Sequence, residues 1–267
     1  MNTSLRFCCI AFATAAFFAP SASASAIPLA QPSIKASAKM NLLALKINLP
    51  KPPSRGVPGN SGRGGGSRTC LKLAKQYPKE QAILNKLVAL IPEYQSEQVT
   101  QVWGTTTTEY PTFWFYVPYA TNSIRSLEFV LQDDNGKTLH KLPVAVPKVP
   151  GIVGVTLPSN KPGLQADNQY NWFFKVRGDC GDSLEFVEGW VERTKLDAAT
   201  SERLKNASDQ EQLSIYAEQG LWYDALTTLA QQHHTNPKDA TVMTDWKGLL
   251  KEVGLEPLAE QAITMPN

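Results

Sequence analysis

Nucleophilic, metal and phosphate chemistry each need particular residues at particular spacings, and this sequence supplies few of them. Its three histidines are His140, His233 and His234. The last two are adjacent in a segment of helical pattern, so their rings point about 100° apart, which argues against a shared metal ion. The chain has no Cys-x-x-Cys, His-Glu-x-x-His or Gly-x-Ser-x-Gly motif, which leaves any catalytic triad dependent on His140 beside a hairpin. The glycine cluster Gly59–Gly66 is not a phosphate loop. The Gly-Lys-Thr at 136–138 is far from it, with Leu131 where that loop's first glycine belongs. No catalytic residue, metal site or cofactor is assigned on these grounds.

Carboxylates and aromatics remain. Asp133 and Asp134 precede Asn135-Gly136 and read as turn residues, because the alternating oxygen ligands of a calcium loop are absent. Glu188 shares a strand face with Phe186 and Trp190, so it reads either as an edge charge or as an acid perturbed by an aromatic site. Trp114, Tyr116, Phe173 and Trp190 are the candidates for an aromatic ligand platform. The competing and favoured reading is that C-terminal helices cover the face bearing Trp114 and Tyr116, with Trp222 packing into it.

The elements that must position these residues follow from periodicity. Pro111–Tyr119 reads PTFWFYVPY, aromatic on both faces at period two and bounded by prolines, so it is a short strand with either both faces covered or one displaying its aromatics. Further strands are expected around Val99–Trp103, Ser126–Gln132, Lys137–Leu142, Ile152–Leu157, Tyr170–Arg177 and Leu184–Glu192. Seven short strands with regular turn signals predict an antiparallel β-sandwich of immunoglobulin- or fibronectin-like outline. Lys79–Ile91 predicts an amphipathic helix through Ile83, Leu87 and Ile91. From Asp197 the pattern turns helical, with helices over Ser201–Gln219, Trp222–His233 and Asp239–Val253. Gly220/Gly254, Leu221/Leu255 and Ala225/Ala259 recur 34 residues apart, the period of a tetratricopeptide (TPR) repeat. The fold class expected is therefore α+β, a sandwich with a TPR-like helical hairpin packed on it.

The N-terminus sets the compartment. Arg6, the apolar run Phe7–Ala19 and two Ala-x-Ala sites ending at Ala24 and Ala26 form a secretory signal. Cys8 and Cys9 lie at the start of that run, which excludes a lipoprotein cleavage site, and no later stretch is apolar enough to span a bilayer. Two cysteines remain, Cys70 and Cys180; in an oxidising compartment they predict a disulfide, two free thiols being the alternative. Ile27–Gly66, rich in Pro, Gly, Ser and Lys, reads as a disordered linker, with Met40–Leu49 as its one stretch able to dock. Ile27–Lys79 carries ten basic residues and no acid, whereas the chain from Glu80 onward holds fifteen basic residues against all 24 acids, a net of −9. Such a basic arm suits an anionic surface or folds back on the acidic body. Nothing points to nucleic acid.

PTFWFYVPY, LEFVLQD at 127–133, PGIVGVTLP at 150–158, YNWFFKV at 170–176, VEGWVER at 187–193 and GLWYDALTTLA at 220–230 resemble, in order, the DUF928 family. GGGSRTC at 64–70 is similar to that family's N-terminal signature, and Cys70 and Cys180 match its cysteine positions. The resemblance implies an exported cyanobacterial protein, periplasmic or secreted, with no assigned function and no catalytic residues to transfer. The expected organisation is a signal peptide at 1–26, a linker at 27–66, a sandwich at 67–196 and helices at 197–267 forming one unit with it. The expected function is non-catalytic binding of an envelope protein or polysaccharide; the alternative is an envelope hydrolase with a carboxylate-based site.

Overall fold

Residues 45–53, 65–67, 70–95 and 100–266 are described by the computed structural model of the chain. The signal segment and the linker residues 27–44 and 54–64 lie outside the described residues. Eleven strands and four α-helices are present in chain order. The strands are β1 (Gly65–Ser67), β2 (Val88–Ala89), β3 (Glu93–Gln95), β4 (Thr100–Thr106), β5 (Thr112–Val117) and β6 (Ile124–Asp133). After these come β7 (Thr138–Val144), β8 (Gly151–Thr156), β9 (Asn168–Gly178), β10 (Leu184–Arg193) and β11 (Ile263–Thr264). The helices are α1 (Ala198–Asn206), α2 (Asp209–Gln219), α3 (Trp222–Thr235) and α4 (Ala240–Glu252).

The fold is mixed α+β with two sheets. One runs β3-β4-β10-β9-β6-β7, with β1 also paired to β10; the other runs β11-β8-β5-β2. They meet through aromatic rings: Phe113 lies 4.7 Å from Phe129, and Phe115 stacks on Phe174 at 4.1 Å. The hairpin between β6 and β7 forms on Asp133, whose Oδ1 accepts from the Asn135 and Lys137 amides while Gly136 takes a φ of 79°. The pairing is not purely antiparallel: β4 lies parallel to β10 and β11 parallel to β8. Both parallel pairs join strands far apart in sequence, where no tight hairpin forces reversal.

Both faces of β5 are covered. Phe113 and Phe115 enter the core between the sheets, while on the other face Trp114 Nε1 donates to Thr227 Oγ1 of α3 (3.1 Å) and Tyr116 OH donates to the Leu84 carbonyl (3.1 Å). The first residues of α3 anchor the helices. Trp222 is fully buried and its Nε1 donates to the Leu90 carbonyl at 2.8 Å. The Tyr223 hydroxyl accepts from Trp172 Nε1 (2.9 Å) and donates to the Trp190 carbonyl (3.3 Å), and Asp224 accepts from Thr107 of the strand-side loop. Sandwich and helices share one compact unit, Asn41–Asn267.

Two expectations fail locally. Lys79–Ile91 is not an amphipathic helix. A 3-10 turn, Lys79–Asn85, ends where Asn85 exchanges two hydrogen bonds with the Tyr77 backbone, and β2 then pairs with β5. Leu87 through Ile91 are five consecutive buried residues, which a one-sided helix does not provide. The helix expected over Ser201–Gln219 is also two helices. Ser208 opens the second with a capping box to Glu211, satisfying amide donors that continuous helix would have bonded internally.

Residues 45–53, inside the expected linker, are held in place. Ile47 is 7% exposed, the Asn48 amide donates to the Ala217 carbonyl (2.9 Å), and the Leu45 amide donates to Asp245 Oδ1 (3.2 Å). Gly220 ends α2 at φ 70°, where an added Cβ would meet Asn48 and Pro50. Cys70 and Cys180 stand at disulfide distance, Cα atoms 5.6 Å apart, closing a separation of 110 residues.

Two substitutions test this arrangement by calorimetry. Trp222→Ala is expected to cost about 3–5 kcal/mol and to lower one common unfolding transition; a cost under about 0.5 kcal/mol, as at a surface site, would separate the helices from the sheets. Ile47→Ala is expected to cost about 2–3 kcal/mol, the lower part of the range for a buried isoleucine, where a dispensable tail would show no change.

Candidate functional site

The five residues expected to bind ligand divide between two surfaces. Trp114 and Tyr116 are buried on the outer face of β5 beneath α3 and the Leu84 turn. Phe173, Glu188 and Trp190 are half-buried on the outer face of the large sheet, with Glu188 directly opposite Phe173 and Trp190 opposite both Asn171 and Trp103. Strand alternation produces this: Trp172, Phe174, Val187 and Val191 point into the core, so their neighbours point out. Lys175 Nζ lies 5.5 Å from the Phe173 ring centre. Burial raises the Glu188 carboxyl above the usual range. Pro52 and Pro53 share a small cleft with Trp103 and Trp190, so part of this aromatic strip is met by the chain's own N-terminal segment.

Two of the three histidines make structural contacts. His140 is 1% exposed with Nε2 2.8 Å from the Pro162 carbonyl; His233 packs beside Trp246, and burial lowers its pKa. Among the described residues, no three His, Cys, Asp or Glu side chains gather closely enough to hold a metal ion.

Two concave sites were not found from sequence. The first, of about 310 Å³, lies where α3 meets β5 and is lined by Tyr110, Trp114, Tyr216, Asp224, Thr227 and Gln231 among others. Asp224 accepts from the Thr107 hydroxyl (2.8 Å) and amide, yet burial still raises its carboxyl above the usual range, and its charge in turn adds to the upward shift of Tyr216. In sequence Asp224 is only an acid in a helix's first turn, which hides it. One perturbed acid can donate or accept a single proton; catalysis by a carboxylate pair needs a second acid in the same cleft, and the lining holds none.

The second is a groove of about 470 Å³ between the free sides of β7 and β8, closed at one end by the C-terminal residues 264–266. β7 is the last strand of its sheet. β11 pairs with β8 only at Ile152 and Val153, so Gly154–Thr156 have no partner strand on that side among the described residues. Leu142, Val144 and Val146 line one wall, Val153, Val155 and Met265 the other, and Val149 at the mouth is 55% exposed. The sequence signal was present in the alternation of LPVAVPKV, but an edge strand's inward face and a groove wall carry the same pattern.

These features define a two-sheet α+β protein with four α-helices among the described residues, a long-range cysteine pair and two surface concavities. The chain belongs to the family described as Domain of Unknown Function (DUF928), whose model matches residues 63–263. Comparison with curated proteins gave no match.

Asp224 provides a pH test. Its folded pKa is raised, so its contribution to stability is complete below the unfolded value of 3.8 and falls as pH rises through the folded value. The asparagine variant does not titrate there. The stability advantage of the natural protein over Asp224→Asn is therefore expected to shrink as pH rises above about 4; in paired thermal melts, an advantage that widens would contradict the assignment.

Proposed function

We propose that this is a non-catalytic binding protein acting outside the cytoplasm, periplasmic or secreted, and that its ligand occupies the groove between β7 and β8. The observation that carries the reading is the groove itself, a concavity lined mostly by aliphatic side chains, with Val149 exposed among them. Exposed apolar surface is costly to maintain, and a concave patch of it is the usual form of a binding site. Export is supported by the N-terminal signal pattern and the Cys70–Cys180 pair. Among the described residues no helix is long and apolar enough to cross a membrane. We read the sheets as a sandwich of immunoglobulin- or fibronectin-like outline and the helices as TPR-like, the groove opening where the sandwich is least closed. The acids Glu188, Asp224 and Asp245 belong to three different elements, β10, α3 and α4, and Asp224 and Asp245 bond different groups, which favours binding over a carboxylate-based hydrolase.

The test uses an apolar fluorescent dye, 1-anilinonaphthalene-8-sulfonate. Dye emission is expected to rise with the natural protein and to remain near the free-dye level with Val149→Glu. That exposed site should leave stability within about 0.5 kcal/mol. Equal enhancement by both proteins would remove the groove as the ligand site.

A further inference from the structure

The geometry points to a single-chain anionic amphiphile as the ligand class, an inference that rests on the groove being the binding site. Three observations select it. The lining is aliphatic, from Leu142, Val144, Val146, Val153, Val155 and Met265, with no aromatic ring to stack a sugar. Lys148, exposed beside Val149, is the only charged side chain among the described lining residues; Thr156 and Thr264 add hydroxyls, and the other side chains are apolar. A ligand complementary to that distribution has an alkyl or isoprenoid chain and a carboxylate, phosphate or sulfate head.

The third observation argues against a polypeptide strand. Free sheet edges beside an apolar groove ordinarily invite strand addition through backbone hydrogen bonds. Here Pro143 stands within β7 and has no N–H to offer, and Pro147, Pro158 and Pro266 line the rest of the groove. Proline and lysine on an exposed edge are how sheets avoid pairing with a further strand. The β7 wall thus keeps apolar surface while offering one donor fewer to an added strand, and on the β8 wall only Gly154–Thr156 lack a partner strand among the described residues. Its volume of about 470 Å³ lies within the small-molecule range of about 300–1,000 Å³.

Calorimetric titration of the protein with octanoate, decanoate, dodecanoate and dodecanol tests this, below each compound's micelle concentration. Each added methylene is expected to lower Kd about fourfold until the groove is filled. Lys148→Glu is expected to weaken dodecanoate up to about fivefold and to leave dodecanol unchanged. Val149→Glu should weaken both. A Kd independent of chain length overturns the proposal, as does dodecanoate binding that Val149→Glu leaves intact. Equal effects of Lys148→Glu on acid and alcohol overturn the anionic head. Flotation with anionic phosphatidylglycerol vesicles separates a soluble ligand from a membrane surface: Val149-dependent flotation without monomeric binding also overturns it. Dye enhancement that depends on Val149, with no binding of any acyl compound, sinks this inference and leaves the binding reading standing.

Discussion

A strand aromatic on both faces has to be covered twice, and most of this structure is the answer to that constraint. β5 places Phe113 and Phe115 against Phe129 and Phe174 of the opposite sheet, a contact that needs nothing beyond a second sheet. The other face is harder to cover because Trp114 and Tyr116 each carry a polar atom that must be bonded when buried. Thr227 of α3 takes one and the Leu84 carbonyl takes the other, so a helix from the C-terminus and a turn from the N-terminus converge on one strand. Trp222 is bonded to the Leu90 carbonyl and Tyr223 to Trp172 and Trp190, so the apolar seam of α3 is completed by the sheets.

Much of this was legible in the sequence. β5 through β10 follow from alternation and turn residues, and the aromatics of PTFWFYVPY favoured a cover on each face. What was misread had the same physical origin each time, a local pattern overruled by a distant partner. Ile83, Leu87 and Ile91 have helical spacing, but Val88 and Ala89 are required at the edge of β5 and Asn85 ends the turn first. Leu45, Ile47 and Leu49 alternate in a proline- and lysine-rich setting that reads as linker, while the pocket they fill is made by α2 and α4 almost two hundred residues away. The parallel pairing of β4 with β10 leaves no trace in either strand's own composition.

The candidate site was less legible than the fold for a related reason. Trp114, Tyr116, Phe173, Trp190 and Glu188 were chosen by residue type, and type does not say which sheet or face receives them. Trp114 and Tyr116 are enclosed, whereas Phe173, Glu188 and Trp190 lie on another sheet. Asp224 looked like an ordinary first-turn acid until the Thr107 loop and Tyr216 closed around it. The groove is a property of two edges that come together only in three dimensions, and its residues individually resemble those of any half-buried strand.

The position of the groove follows from how the small sheet ends. On the β2 side the edge is shielded by the buried run Leu87–Ile91 and by Trp222. On the β8 side, β11 contributes only Ile263 and Thr264, with the Ile152 amide bonded to the Ala262 carbonyl, and the chain leaves through Met265 and Pro266. A longer β11 would pair with Gly154 and Val155 and fill the space opposite β7. Gly154 also has to stay without a side chain, because an added Cβ would lie 2.8 Å from both the Pro266 Cδ and the Trp114 ring. Trp114 stands opposite Gly154 in the β5–β8 pairing, and its Nε1 donates to Thr227 of α3. Sites built on paired strands hold their shape better than sites on loops. The same packing that closes one face of β5 therefore gives the open edge beside it a rigid wall.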